Sequence, residues 1–297
     1  MNDIDPALQL RIRCDRGEQV TETEALVLLA QSPLMARLLV PPKPRLDLFT
    51  GVRALEWRLL EMCEIPFAST LPQVQAWLDL LLDKTVIPQG FSLEGTVDGV
   101  VACHMAMLTR IVMRLRPQAR EQIDNGIQWI LDYQNLERGQ RCDWPGKDLY
   151  TRWGGCMKNT PCFYGIVKAM VTLSEYQRQF GADAAVADKL ARGLVVILSH
   201  RVCQRRTTGE PIEPSITQLF FPYTYKTNLI ELLALLKQHD LLSDERCTQA
   251  LAILREKQDS DGFWKPEVSF MKAAWVEFEP LKKPGGWVTH VCGRIFD

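Results

Sequence analysis

The 297-residue chain has no apolar run near the roughly 20 residues that a membrane-spanning helix requires; Leu78 to Leu82 and Leu229 to Leu236 are typical of its longest. Met1 to Arg16 is polar and contains no signal-peptide apolar core, so the sequence reads as that of a cytoplasmic protein. Net charge is equally scarce. With 35 Lys and Arg against 36 Asp and Glu, the formal value is -1. That argues against binding nucleic acid or an anionic membrane by gross electrostatics. The nine cysteines contain no Cys-x-x-Cys pair, which excludes zinc ribbons and thioredoxin-type motifs. Their odd number and scatter exclude a small disulfide scaffold and make most of them buried hydrophobes. There is no sustained alternation and no Asn-Gly hairpin turn to signal a sheet. No Ser/His/Asp arrangement or glycine-rich phosphate loop is readable.

What the chain does have is helical period from end to end, which predicts an all-α fold. Leu46 to Cys63 and Leu71 to Leu82 read as amphipathic helices, and a helix is expected from Thr23 to Leu39. One class of helix starts near Asp98, Pro161 and Tyr223, at intervals of 161 − 98 = 63 and 223 − 161 = 62 residues. A second class lies between them: Ala119 to Tyr133, Ala185 to His200 and Asp244 to Lys257. A period of about 62 residues, each unit a helix pair, is the mark of a repeat architecture. It predicts a further start near Gly285, and divides the chain into an N-terminal helical extension, 1–44, and a repeat domain, 45–297. Two second-class helices run into Gln134 and Gln258, then a polar turn with Gly139 or Gly262, then Trp144 or Trp264. Gly there fits a left-handed cap, and the aromatic can fold back on the helix just ended.

This text resembles the repeat of squalene/hopene cyclases and protein prenyltransferase β subunits. It is most similar to bacterial prenyltransferase/squalene-oxidase repeat proteins. The likeness is carried by Val52-Arg53-Ala54-Leu55, Ala119 to Gln134, Cys156 to Leu173, Phe221-Pro222-Tyr223, Lys257 to Trp264 and Lys283 to Trp287. The resemblance implies an α/α toroid of repeated helix pairs around a hydrophobic cavity. Two departures limit what it implies about chemistry. Asp259-Ser260-Asp261-Gly262 lacks the adjacent Asp of the cyclases' Asp-x-Asp-Asp acid and reads as a capping turn. Asp98-Gly99-Val100 and Thr160-Pro161-Cys162 lack the Cys and His of the transferases' zinc triad.

The densest chemistry is Cys103 and His104 on one inner helix, with Cys156 and Cys162 beside the next and Asp98 a turn and a half earlier. Asp98 and His104 are the candidate catalytic residues. Cys103, Cys156 and Cys162 are the candidate metal ligands, a set that suits tetrahedral zinc; otherwise they are packing residues and no cofactor is implied. Trp144, Trp153, Phe163, Tyr164, Phe221, Tyr223, Tyr225 and Trp287 fall at loop-to-helix junctions and are the candidate ligand-binding set. Arg201, Arg205 and Arg206 make a basic loop that either holds a diphosphate or is simply solvated. Three functions fit: a cavity protein for an isoprenoid-like or other apolar ligand, a non-catalytic scaffold for a protein or peptide, or a zinc-dependent transferase with rearranged Cys/His ligands.

Overall fold

The computed structural model describes residues 4–42, 46–140, 142–146, 160–181, 183–269 and 276–297. It is mostly helical. The helices are α1 (Pro6–Asp15), α2 (Glu22–Gln31), α3 (Pro33–Leu38), α4 (Phe49–Cys63), α5 (Pro72–Thr85), α6 (Ala102–Leu115), α7 (Arg120–Tyr133), α8 (Phe163–Phe180), α9 (Ala184–Ser199), α10 (Leu229–Lys237), α11 (Thr248–Glu256) and α12 (Gly286–Phe296). A two-stranded antiparallel hairpin, β1 (Val86–Ile87) and β2 (Gly90–Phe91), follows α5. Among the described residues no helix is long and apolar enough to cross a membrane.

Local chemistry sets the boundaries. The helix expected over Thr23 to Leu39 is broken at Ser32, which is extended because a residue before proline is driven out of the α region. Ser32 then caps α3, accepting from the Met35 N–H at 3.1 Å. The helix expected from Tyr223 begins at Leu229 instead, where the Asn228 side chain accepts from the Glu231 N–H. Asp98 lies in a short 3-10 turn, Val97–Gly99, and α6 starts at Ala102. The starts of α6, α8, α10 and α12 keep the expected interval to within about five residues.

Gly139 and Gly262 have the expected positive φ, 88° and 86°, but they stand in the turns beyond the helices, whose caps are Gln134 and Lys257. Trp264 folds back on α11, its indole N–H donating to Leu254 O at 2.7 Å, and Trp144 packs on Trp129 and Tyr133 of α7. Asp259 caps its turn, accepting from the Asp261 and Phe263 N–H groups.

Neighbour relations follow the sequence order. α6 packs on α4, α7 and α8; α8 packs on α9 and α10; α10 packs on α11 and α12; α12 packs on α1. Ala7, Leu8 and Leu10 of α1 share one hydrophobic core with the rest of the chain. α6 and α7 approach closely because Gly126 leaves room for Thr109: a Cβ at 126 falls 2.1 Å from the Thr109 Oγ1. Thr109 is stiff, β-branched, and bonded to Met105 O. Gly126→Ala is therefore expected to cost about 1–3 kcal/mol of unfolding free energy by overpacking, with part recovered in Gly126→Ala/Thr109→Ala. Urea denaturation of the two variants checks it.

Candidate functional site

A helix buried all round belongs in a core and normally carries apolar residues. α6 is buried at every position but Arg114, yet it holds His104, Arg110 and Arg114. The same break in pattern occurs at Glu56 of α4, Lys168 and Glu175 of α8 and Glu231 of α10, all buried, and at Glu64, the buried residue that follows α4. Glu56 and Glu64, or Lys168 and Glu175, are two helical turns apart, about 11 Å along the axis. The buried charges accordingly fall on two levels.

On the first level, Glu56 holds His104, with Nδ1 2.8 and 2.6 Å from its two carboxylate oxygens. Carboxylate oxygens accept, so Nδ1 is the donor in this contact and the Glu56 carboxylate fixes the orientation of the ring. Lys168 donates to Glu231 at 2.7 and 2.5 Å and to Lys226 O at 3.1 Å. The Thr227 hydroxyl donates to the same carboxylate at 2.6 Å. Burial pulls the Lys168 ammonium below its ordinary range, against the opposing attraction of Glu231. Beside this pair, burial pushes the Cys103 thiol up to about 12, with the neighbouring Cys162 and Glu56 adding to it. The thiol is protonated at neutral pH.

On the second level, Arg110 and Arg114 donate through Nε to the two oxygens of Glu175, at 2.9 and 2.5 Å. Both also reach Glu64 Oε1, at 3.4 and 3.3 Å, while Arg11 reaches Glu64 Oε2 at 3.2 Å. Asp15 is held by Arg11, Arg294 and His290 at 2.7–2.8 Å. Burial alone raises Glu175, but Arg114 and Arg110 outweigh it and hold the carboxyl at about 2; Glu64 is lowered in the same way. Folded values below the unfolded carboxylate value of about 4.3 stabilise the native state fully above that pH. That stability is lost as pH falls from about 5 toward 2. The urea midpoint is expected to drop steadily between about pH 5 and pH 3 and to drop less in Glu175→Gln; a flat profile contradicts the network.

A cavity of about 490 Å³ opens against this second level. Six helices contribute to it: Arg11 comes from α1, Glu64 from the end of α4, Arg110 and Arg114 from α6, Val171 from α8, Leu235 from α10 and Ile295 from α12. Tyr223 lines it too, with the Arg110 guanidinium 6.0 Å from its ring centroid. The lining is thus part charged and part apolar, where the sequence led us to expect a hydrophobic wall.

The residues singled out from sequence scatter more widely. His104, Cys103 and Cys162 do come together with Lys168 on the first level. Asp98 is half-buried in its turn before α6. Among the described residues no group of three His, Cys, Asp or Glu is arranged to hold a metal ion. Trp153 and Cys156 lie outside the described residues. Among the described members of the aromatic set only Tyr223 lines the large cavity. Phe221, Tyr223 and Trp287 share a packed cluster with Phe278. Trp144 is buried with its indole N–H on Val97 O, Phe163 packs on His200, Tyr164 donates to Glu213, and Tyr225 is half-buried against the core. Sequence reasoning missed the charged residues of both levels except His104. The signal was present as lone charges inside apolar helical text, such as Lys168 and Glu231.

Comparison with protein-family models, curated proteins and solved structures gives no match.

Proposed function

We propose that the chain is an α/α toroid whose interior binds a small isoprenoid-like molecule through an anionic head group. Support for the ring comes from the order of neighbours: α4, α6, α8, α10, α12 and α1 follow one another, and Arg11 of α1 returns to Glu64 at the end of α4. α5, α7, α9 and α11 each pack behind the helix before them, as an outer layer does.

The observation that carries the ligand reading is the buried charge. Replacing a buried ion pair with apolar residues of similar size is often neutral or stabilising, so stability alone gives no reason for Lys168, Glu231, Arg110, Arg114 and Glu175. Charged groups with perturbed titration beside a cavity mark functional sites. Arg110 and Arg114 carry guanidinium groups, the group best matched to phosphate or carboxylate, and a head group would share them with Glu175 and Glu64. Val171, Leu235, Val291 and Ile295 supply the apolar remainder of the lining, so a short hydrocarbon tail has a place beside the head group.

Calorimetric titration with geranyl diphosphate, inorganic diphosphate and geraniol tests this reading. Geranyl diphosphate is expected to bind with a dissociation constant near 1 μM, about −8 kcal/mol, and at least ten-fold more tightly than either part alone. Equal binding of geraniol overturns the anionic head group, and no binding of any of the three favours a scaffold.

A further inference from the structure

We propose a second anion site, independent of the large cavity, in the cleft at the end of α9, taking the phosphoryl group of a small molecule. The cleft measures about 320 Å³ and is lined by His200, Arg201, Gln204, Arg205 and Arg206, with Gln249 from the first turn of α11. Its backbone is firmly built. Arg201 and Val202 are both in the left-handed region, with φ of 44° and 71°, which costs a side chain with a branched Cβ most. They are held there by the Arg201 N–H on Leu198 O at 2.8 Å and the Val202 N–H on Ile197 O at 3.2 Å. Beyond them Gln204 bridges to Pro211, and the Arg205 N–H donates to Glu210 O at 2.7 Å, closing a small hairpin.

Basic residues after a helix also have a structural use, because they complement the negative end of its dipole. Arg205 and His200 are instead used to brace the hairpin: the Arg205 guanidinium donates to Ile212 O at 3.3–3.4 Å, and the His200 Nδ1–H donates to Gln204 O at 2.8 Å. Arg201 and Arg206 are exposed and make no ion pair with the described residues. Glu210 accepts from Thr208 on the same hairpin. The positive field of Arg206 and Arg138 reaches His200 as well. Two uncommitted guanidinium groups around a concave, polar cleft match a compact polyanion, since each fork grips two phosphoryl oxygens at once. An extended acidic peptide makes no comparable use of a compact cleft of this size.

The test is the amide spectrum of the intact protein, following Gly209 and Gln249 during titration with inorganic diphosphate and, separately, ADP at constant ionic strength. Saturable shifts with a dissociation constant below about 1 mM are expected for diphosphate. ADP binding equally well identifies a phosphorylated small molecule, and ADP exclusion identifies the free anion; either supports the site. Arg201→Glu/Arg206→Glu is expected to weaken binding at least ten-fold, while Ala234→Trp in the large cavity leaves it unchanged. Both arginines are exposed, so the double variant keeps its fold. Shifts that never saturate, or that persist in the double variant, overturn the proposal.

Discussion

Lys168→Met is expected to lower the unfolding free energy by about 3–5 kcal/mol, the cost of stranding Glu231 as a buried, uncompensated carboxylate. Lys168 and Glu231 are 4% and 3% exposed, so little water reaches the carboxylate to replace the lost partner. Thr227 still donates to the carboxylate, but one hydroxyl does not replace an ammonium. For a chain of this size the midpoint of thermal unfolding falls by on the order of 10 °C. Lys168→Met/Glu231→Leu removes both charges and is expected to recover most of the loss, because two apolar side chains pack where two ions were. Urea denaturation of the single and double variants distinguishes the cases. A single variant within about 1 kcal/mol of the parent means that the pair is not desolvated as described.

The second large effect is on binding. Ala234 faces the cavity from α10 and takes no part in the ion network. Ala234→Trp places an indole in a space of about 490 Å³ and leaves Arg110, Arg114, Glu64 and Glu175 untouched. Binding of geranyl diphosphate is expected to weaken at least 100-fold, about 2.8 kcal/mol. Stability stays within about 1 kcal/mol, since position 234 is only half-buried. The calorimetric titration checks the first quantity and thermal unfolding the second. Unchanged affinity in a folded Ala234→Trp variant places the ligand elsewhere.

Much of the fold was legible because its signals are local. The 3.6-residue period and the turn glycines 139 and 262 act within a few residues of themselves. The repeat interval was legible for the same reason, and it located the start of α12 at Gly286. Errors arose where one residue redirected the backbone: Pro33 drives Ser32 out of the helix, and the Asn228 cap delays the start of α10.

The site was much less legible, since its contacts are long-range. Arg110 meets Glu175 across 65 residues of sequence, and Arg11 meets Glu64 across 53. Nothing in the text of α6 says that Arg110 and Arg114 turn inward while Arg116 turns to Gln75. Cys103, His104 and Cys162 were found because rare residue types draw notice; Glu56, which holds the His104 ring, is a common residue and was passed over. Aromatic residues misled in the opposite direction. Phe221 and Trp287 are large and conspicuous, and they pack on one another.

The most direct test of the central claim is a crystal structure of the protein grown with geranyl diphosphate. The head group is expected on the wall of the cavity that carries Arg11, Arg110 and Arg114, sharing these guanidinium groups with Glu64, and the hydrocarbon chain along Val171 and Leu235. A diphosphate bound only in the cleft beside His200, or a hydrocarbon chain seated with its head group away from Arg110 and Arg114, contradicts the claim that the buried charges form a ligand site.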